Sequence, residues 1–90
     1  MAEIRHNKGE KKFILKVDGE ESKVEYEYKE GKMFLIHSEI PEKLRGKGIG
    51  KKLVLKTFEK LNEEGYKAVA VCPYIKHVKS KDAHWGKIIE

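Results

Sequence analysis

The chain has 90 residues, the size of one small domain, and we expect residues 1–90 to form a single unit. Hydrophobic and charged residues each make up 39% of it, and the net charge of +5 favours anionic partners such as nucleic acid, phosphorylated ligands or an anionic membrane surface. No apolar run reaches the ~20 residues of a membrane helix, no secretory signal opens the chain, and Cys72 alone cannot form an intramolecular disulfide, so a cytoplasmic setting is expected.

Three antiparallel strands are predicted in the first half of the chain. Residues 11–17, Lys-Lys-Phe-Ile-Leu-Lys-Val, predict a short strand that ends at a turn pair, Asp18-Gly19. Residues 22–29 alternate between apolar and charged side chains, which is typical of a half-buried strand. Residues 33–40 begin with apolar side chains on both faces, which predicts an inner strand covered on both sides.

A helix and a fourth strand follow. The spacing of apolar side chains predicts a helix over residues 48–64, with Gly65 as its C-terminal cap. Residues 67–72 predict a buried strand that lies parallel to residues 33–40, because a helix separates the two. Residues 74–85 predict one short helix. The expected fold is a compact α/β (α+β) fold of order β-β-β-α-β-α, in which antiparallel strands lead into a parallel pair.

The turn before the long helix is the most informative segment. Gly46, Gly48 and Gly50 occupy every second position. Glycine lets the backbone approach a ligand closely, and the free N–H groups of a helix's first turn bind anions. Between residues 43 and 56 there are six cations and no acid. This pattern predicts a phosphate-bearing ligand, and the alternative is a glycine-rich turn beside a solvated basic helix face.

Two known phosphate-binding motifs do not fit this spacing. A P-loop would need a glycine where the chain has Arg45 and a hydroxyl residue where it has Lys52. The dinucleotide fingerprint, begun at Gly46, would need its third glycine where the chain has Lys51. The turn is therefore not expected to serve nucleoside triphosphate hydrolysis or a Rossmann site.

Residues 45–50, Arg-Gly-Lys-Gly-Ile-Gly, resemble the acetyl-CoA signature R/Q-x-x-G-x-G/A of the GNAT superfamily of N-acetyltransferases. In that family the signature also lies between a strand and the long helix. The resemblance implies a minimal GNAT-like fold whose turn amides hold the pyrophosphate of coenzyme A and whose parallel strands splay apart around the pantetheine arm. It implies acetyl-CoA as the cofactor, bound by Arg45, Gly46, Lys47, Gly48, Ile49, Gly50 and Lys51.

Residues 37–53 and 71–74 are similar to a subgroup of very short, single-domain GNAT proteins. That subgroup carries a His before the RGxGxG turn and a Cys-Pro-Tyr motif after the next strand. The resemblance covers roughly residues 12–80. The chain lacks room for the early helix pair and the last two strands, which normally build the acceptor site. The acceptor amine therefore stays open between a small molecule and a protein lysine or N-terminus.

Cys72 and His37 are the first candidate catalytic pair. Cys72 ends one parallel strand and His37 lies late in the other, so both are expected near the acetyl thioester. A neighbouring histidine lowers the pKa of a thiol from its usual ~8.5 toward a reactive thiolate. His37 would then activate Cys72, which takes the acetyl group and passes it to an amine. The alternative is a buried structural cysteine and a histidine that hydrogen-bonds within the core.

Glu39 offers a competing mechanism. Under the period of two it shares a strand face with Leu35 and His37. In many GNAT enzymes a carboxylate in this region deprotonates the acceptor ammonium for direct attack on the thioester. Tyr74 is placed to donate a proton to the leaving CoA thiolate as general acid. The alternatives are a solvated glutamate and a packed aromatic. The remaining histidines lack ligand spacing, so no metal site is expected.

Three functions compete. The first is an acetyl-CoA-dependent N-acetyltransferase that acts on an unidentified amine, directly or through Cys72. The second is a CoA- or acyl-CoA-binding module with little catalysis, since the acceptor half of the usual fold is missing. The third is a nucleic-acid-binding domain, although Tyr26, Tyr28 and Phe34 alternate as core residues and do not interleave with the cations as a stacking surface requires. No membrane partner is expected, and the oligomeric state is left open.

Overall fold

The computed structural model describes residues 3–90 and contains five strands and three helices. The first four strands are β1 (Ile4–Asn7), β2 (Lys12–Val17), β3 (Glu20–Lys29) and β4 (Lys32–Glu39). A 3-10 turn (Glu42–Leu44), α1 (Ile49–Glu63), β5 (Lys67–Ala70), α2 (Pro73–Ser80) and α3 (Ala83–Ile88) follow. None of the helices within residues 3–90 is long and apolar enough to cross a membrane. The predicted compact α+β fold is confirmed.

The strands form one mixed sheet in the order β1-β2-β3-β4-β5. The first four strands are antiparallel neighbours. Two of their connections are two-residue turns, Asp18-Gly19 and Glu30-Gly31, in which both residues have positive φ. Such turns match the right-handed twist of the flanking strands. β5 pairs in parallel with β4, and α1 lies in the connection between them.

The sequence pattern does not predict two of the elements, β1 and α3. β1 has only four residues, and its strand conformation depends on pairing with β2. α3 is separate from α2 because the Asp82 carboxylate accepts the backbone N–H groups of His84 and Trp85 and so caps a new helix. The single helix predicted over residues 74–85 is therefore wrong.

One face of the sheet packs against the helices around a hydrophobic core. Its largest fully buried side chains are Phe13, Phe58, Leu15, Met33, Leu35, Leu44, Leu53, Leu61, Ile75, Ile89, Val24 and Val54. The predicted covering of residues 33–40 on both faces is wrong, because Phe34 is only partly buried and Ile36 is 41% exposed. Tyr28, which was also expected in the core, is 49% exposed. The outer face of β4 is therefore partly open.

A β-bulge in β4 changes which of its side chains face the core. The pairing with β3 shifts register between Glu25 and Tyr26, which lie opposite His37 and Leu35, so Ile36 is the extra residue. An extra residue reverses the alternation of every side chain that follows it, because side chains in a strand alternate with a period of two.

Beyond the bulge, Ser38 faces the core in place of His37. Ser38 lies opposite the buried Val24, whereas His37 and Glu39 lie on the other face of the sheet. The predicted strand face shared by Leu35, His37 and Glu39 is therefore wrong, because the bulge falls between the first of these residues and the other two.

A hydrogen-bond cluster joins β1 to the C-terminal end of α1. The His6 side chain is 3% exposed, its Nδ1 lies 2.6 Å from Glu64 Oε1, and its Nε2 contacts the Tyr26 hydroxyl. Burial acts to raise the pKa of Glu64. The hydrogen bond and charge of His6 and the charges of Lys60 and Lys8 outweigh burial, so the pKa of Glu64 lies below its usual value.

Glu64→Gln should therefore destabilise the protein at pH 7 by roughly 1 kcal/mol. A carboxylate with a lowered pKa stabilises the fold above its unfolded-state pKa, and this stabilisation is lost as the pH falls through the folded-state value. Urea unfolding at pH 7 and about pH 3 should show that the difference in free energy of unfolding between the wild type and Glu64→Gln becomes smaller as the pH falls. Glu63→Gln, at an exposed neighbouring position, is the control. A pH-independent difference between wild type and Glu64→Gln would contradict the prediction.

Candidate functional site

The segment between β4 and α1 is anchored to the body of the protein at two points. Leu44, in the 3-10 turn, is 1% exposed and belongs to the core. The next residue, Arg45, donates from Nε to the carbonyl oxygen of Ile40 at 3.3 Å. This bond ties the start of the glycine turn back to the end of β4. One N–H donor of the Arg45 guanidinium group is thus already bonded within the protein.

Two glycines expose the backbone at the start of α1. Gly46 and Gly48 have φ of +80° and +73°, a left-handed conformation that favours glycine, and no heavy atom lies within 4 Å of a Cβ built at either position. Gly48 is the N-cap of α1, and no side chain caps the helix. The first N–H groups of α1 therefore have no side-chain partner at the positive end of the helix dipole. Lys47 and Lys51 are exposed beside them.

Gly50, the third glycine, makes room for Tyr74. A Cβ built on Gly50 would lie 2.9 Å from the Tyr74 hydroxyl and 3.2 Å from two of its ring carbons. The tyrosine at the start of α2 is therefore in contact with the first turn of α1, although its side chain stays 41% exposed. Gly50 was predicted to bind the cofactor, and the structure adds a steric reason for glycine at this position.

The parallel strands separate after Leu35. They pair in register from Lys32 opposite Lys67 to Leu35 opposite Ala70. The backbone N–H groups of Val71 and Cys72 then both donate to the Leu35 carbonyl oxygen, each at 3.0 Å. Residues 71–72 are not part of β5 because the chain enters α2 at Pro73. The last residues of β4 thus lack a β5 partner, which leaves a gap in the sheet.

A cavity of about 800 Å³ joins this gap to the glycine turn. It is lined by residues from the end of β4, the turn, the start of α1 and the start of α2: His37, Ser38, Glu39, Ile40, Pro41, Glu42, Leu44, Arg45, Gly46, Gly48, Ile49, Gly50 and Tyr74. Three of the predicted catalytic residues and five of the predicted cofactor-binding residues are among them. Cys72, Lys47 and Lys51 are not.

Cys72 lies directly behind the cavity wall. It is 9% exposed, and its Sγ is 3.5 Å from the hydroxyl oxygen of Ser38. Burial acts to raise the pKa of this thiol. Hydrogen bonds from the Ser38 side chain, from the backbone of Ile75 and Tyr74 and from the Ser38 backbone outweigh burial, so the pKa of Cys72 is lowered. Lowered thiol pKa values favour the nucleophilic thiolate.

The position of Cys72 explains why backbone groups contribute to the lowered pKa of its thiol. Cys72 is the N-cap of α2 and Pro73 is its first residue, so the thiol lies at a helix start whose N–H groups have no partner within the helix. The Cys-Pro pair after a strand is a sequence signal for this arrangement. The contact with Ser38 has no such signal, because only the bulge in β4 turns Ser38 toward Cys72.

His37 contacts Glu39 and not Cys72. Its Nε2 lies 3.6 Å from Glu39 Oε1, and the two side chains are 53% and 60% exposed. The predicted pairing of His37 with Cys72 is thus corrected: Ser38 is the β4 residue whose side chain contacts the thiol. The physical reason is the bulge, which places His37 and Ser38 on opposite faces of the strand.

The strand gap and the glycine turn are the two elements that the GNAT resemblance implies. The chain belongs to the GCN5-related N-acetyl-transferase family, whose model matches residues 12–88. Proteins of this family transfer acetyl groups and generally use acetyl-CoA. The chain is also 32% identical over 84 residues to Protein NATD1 of Danio rerio, an alignment that covers 90% of this chain and 76% of that protein.

Proposed function

We propose that the protein is an acetyl-CoA-dependent N-acetyltransferase of the short GNAT subgroup with an RGxGxG turn and a Cys-Pro-Tyr motif. Its acceptor is an amine, either a small molecule or a protein lysine or N-terminus. The observation that carries the proposal is the cavity that runs from the glycine turn to the gap after Leu35. It connects the uncapped start of α1 to Ser38, whose hydroxyl contacts the Cys72 thiol, and transfer from a phosphorylated thioester requires an anion site and a reacting group close to one cavity.

The residues present fit coenzyme A. The left-handed glycines, Gly46 and Gly48, leave space in front of the uncapped N–H groups of α1 for a pyrophosphate. Lys47 and Lys51 add exposed positive charge beside them. Acetyl-CoA would supply the acetyl group as an activated thioester. Beyond Leu35, β4 has no β5 partner, so its edge on that side can hydrogen-bond to an amide-containing arm.

We propose the covalent route through Cys72 as the first mechanism. The Cys72 thiolate attacks the acetyl carbonyl carbon, a new thioester forms on Sγ, and the CoA thiolate leaves and takes a proton from the Tyr74 hydroxyl. An acceptor amine then attacks the acetyl-Cys72 carbonyl and releases the Cys72 thiolate, and its surplus proton returns to the Tyr74 oxygen. The lowered pKa of Cys72 and the place of Tyr74 in the cavity lining support this route.

Direct transfer is the competing mechanism. Glu39 and His37 line the cavity and are largely exposed, so a carboxylate is available to take the proton of an incoming ammonium. In this route the amine attacks the acetyl group of acetyl-CoA itself, and Cys72 stays unmodified. The two routes differ in one measurable product, an acetylated protein.

A CoA- or acyl-CoA-binding module is the second candidate function. One observation favours it: Cys72 is 9% exposed and is not among the residues that line the cavity. Binding without transfer would need only the glycine turn and the gap. Mass spectrometry after incubation with acetyl-CoA, together with release of CoA in the presence of a panel of amines, separates the transferase from the module.

Binding of acetyl-CoA should be micromolar and should weaken as salt concentration rises. A micromolar dissociation constant corresponds to ~−8 kcal/mol. The ligand carries several phosphate charges, and exposed charges are screened over ~8 Å at physiological ionic strength. Calorimetry at two salt concentrations measures both quantities, with short duplex DNA as competitor. DNA that displaces acetyl-CoA at equal concentration would support the nucleic-acid-binding alternative in place of the proposal.

A further inference from the structure

Ser38 connects the cavity to the thiol. Ser38 is part of the cavity lining, and its hydroxyl oxygen lies 3.5 Å from Cys72 Sγ. The sulfur itself is not part of the lining. Ser38 on β4 and Cys72 at the start of α2 stand on opposite sides of the strand gap, so this contact bridges the gap beyond Leu35.

Either atom can donate this hydrogen bond while the sulfur is a thiol, but its direction is fixed once the sulfur is a thiolate. A thiolate has no proton and can only accept, so a hydroxyl next to it must donate. Hydrogen bonds from the backbone of Tyr74 and Ile75 also favour the charged form. Among residues 3–90, Ser38 is the only residue whose side chain hydrogen-bonds to the sulfur.

In the part of the chain that the structure describes, the other titratable side chains of this region do not hydrogen-bond to the sulfur. His37 and Glu39 lie on the opposite face of β4 and contact each other. The Tyr74 hydroxyl lies over Gly50 at the start of α1, and the following Lys51 is exposed. None of these side chains has a hydrogen bond to the sulfur within the described residues, which leaves Ser38 as the side chain on which the thiolate depends.

We propose that Ser38 is a positioning residue whose hydroxyl donates to the Cys72 thiolate and holds Sγ against the cavity wall that Ser38 helps to form. Its part in acetyl transfer rests on the proposed covalent route. Its effect on the thiol does not, because that effect is a property of the protein without substrate. The bulge at Ile36 is what makes the contact, since a regular strand would place His37 there instead.

The test is the pH dependence of Cys72 alkylation by iodoacetamide in the full chain. Cys72 is the single cysteine, so alkylated mass reports this site alone. Ser38→Ala should raise the midpoint of the rate–pH profile by about one pH unit, because the hydrogen bond that favours the thiolate is lost. The midpoint is the readout, because intrinsic nucleophilicity also changes with thiol pKa.

Two further variants test whether the shift comes from the Ser38 hydroxyl itself or from a general change in the surrounding structure. Ser80→Ala, at the other end of α2, removes a hydroxyl that bonds the His77 carbonyl, and it should leave the midpoint unchanged. Ser38→Thr keeps a hydroxyl on β4 and should retain the wild-type midpoint. An unchanged midpoint in Ser38→Ala, an equal shift in Ser80→Ala, or the same shift in Ser38→Thr would each overturn the proposal.

Failure of this inference and failure of the proposed function are distinguishable. If Ser38→Ala raises the midpoint while Cys72→Ala keeps full transferase activity, the covalent route is rejected and Ser38 still positions the thiol. If the midpoint does not move while Cys72→Ala loses transfer, the covalent route stands and the role assigned to Ser38 is overturned.

Discussion

Gly48→Val is expected to lower the affinity for acetyl-CoA at least a hundredfold, ~2.7 kcal/mol. At a φ of +73° a β-branched residue is strained, so the turn must change its backbone conformation. The new side chain would also project into space where no protein atom lies within 4 Å, in front of the N–H groups proposed to bind pyrophosphate. Calorimetry with acetyl-CoA measures the loss.

Gly65→Val is the matched control for this variant. Gly65 has a φ of +85°, no heavy atom within 4 Å of a built Cβ, and a position at the opposite end of α1. Its substitution introduces the same backbone strain without touching the cavity. Gly65→Val should therefore lose comparable stability in urea unfolding and keep wild-type affinity. If both variants lose the same affinity, the loss reflects reduced stability of the fold and not a change at the site. If Gly48→Val binds acetyl-CoA normally, the glycine turn is not part of the binding site.

Cys72→Ala should abolish both the acetyl-protein adduct and amine acetylation. The Ser38 hydroxyl and the backbone at the start of α2 lower the pKa of Cys72, which increases the fraction of the thiol present as the nucleophilic thiolate. Cys72→Ser retains most of the side-chain volume, and it should also lose activity because a hydroxyl there has no general base bonded to it. The measurements are intact-protein mass after exposure to acetyl-CoA and the initial rate of CoA release with an amine.

Glu39→Gln tests the direct route, in which Glu39 is the general base. It should retain most activity on the covalent route and lose roughly 10²–10⁴-fold on the direct route, the range typical of general acid–base catalysis. Loss of activity in Glu39→Gln with full activity in Cys72→Ala would establish direct transfer. If neither variant alters CoA release and wild type shows no adduct, the protein is a binding module.

Local patterns were sufficient for most of the fold and for the glycine turn. The alternation over residues 22–29, the helical spacing after residue 48 and the glycines at every second position each depend on interactions between near neighbours in the chain. α1 accordingly begins at Ile49, one residue from the predicted start. Gly48 has the left-handed φ that its residue type suggests.

The arrangement of the catalytic candidates was decided by strand pairing. Ile36 is a bulge only because β3 shifts its register opposite it, and that shift depends on packing between residues far apart in sequence. It exchanges His37 for Ser38 at the thiol, an outcome that the period of two cannot predict. β1 likewise forms a strand because it pairs with β2. The sequence by itself determined the family, most of the elements and the turn, whereas tertiary pairing determined which side chain meets Cys72.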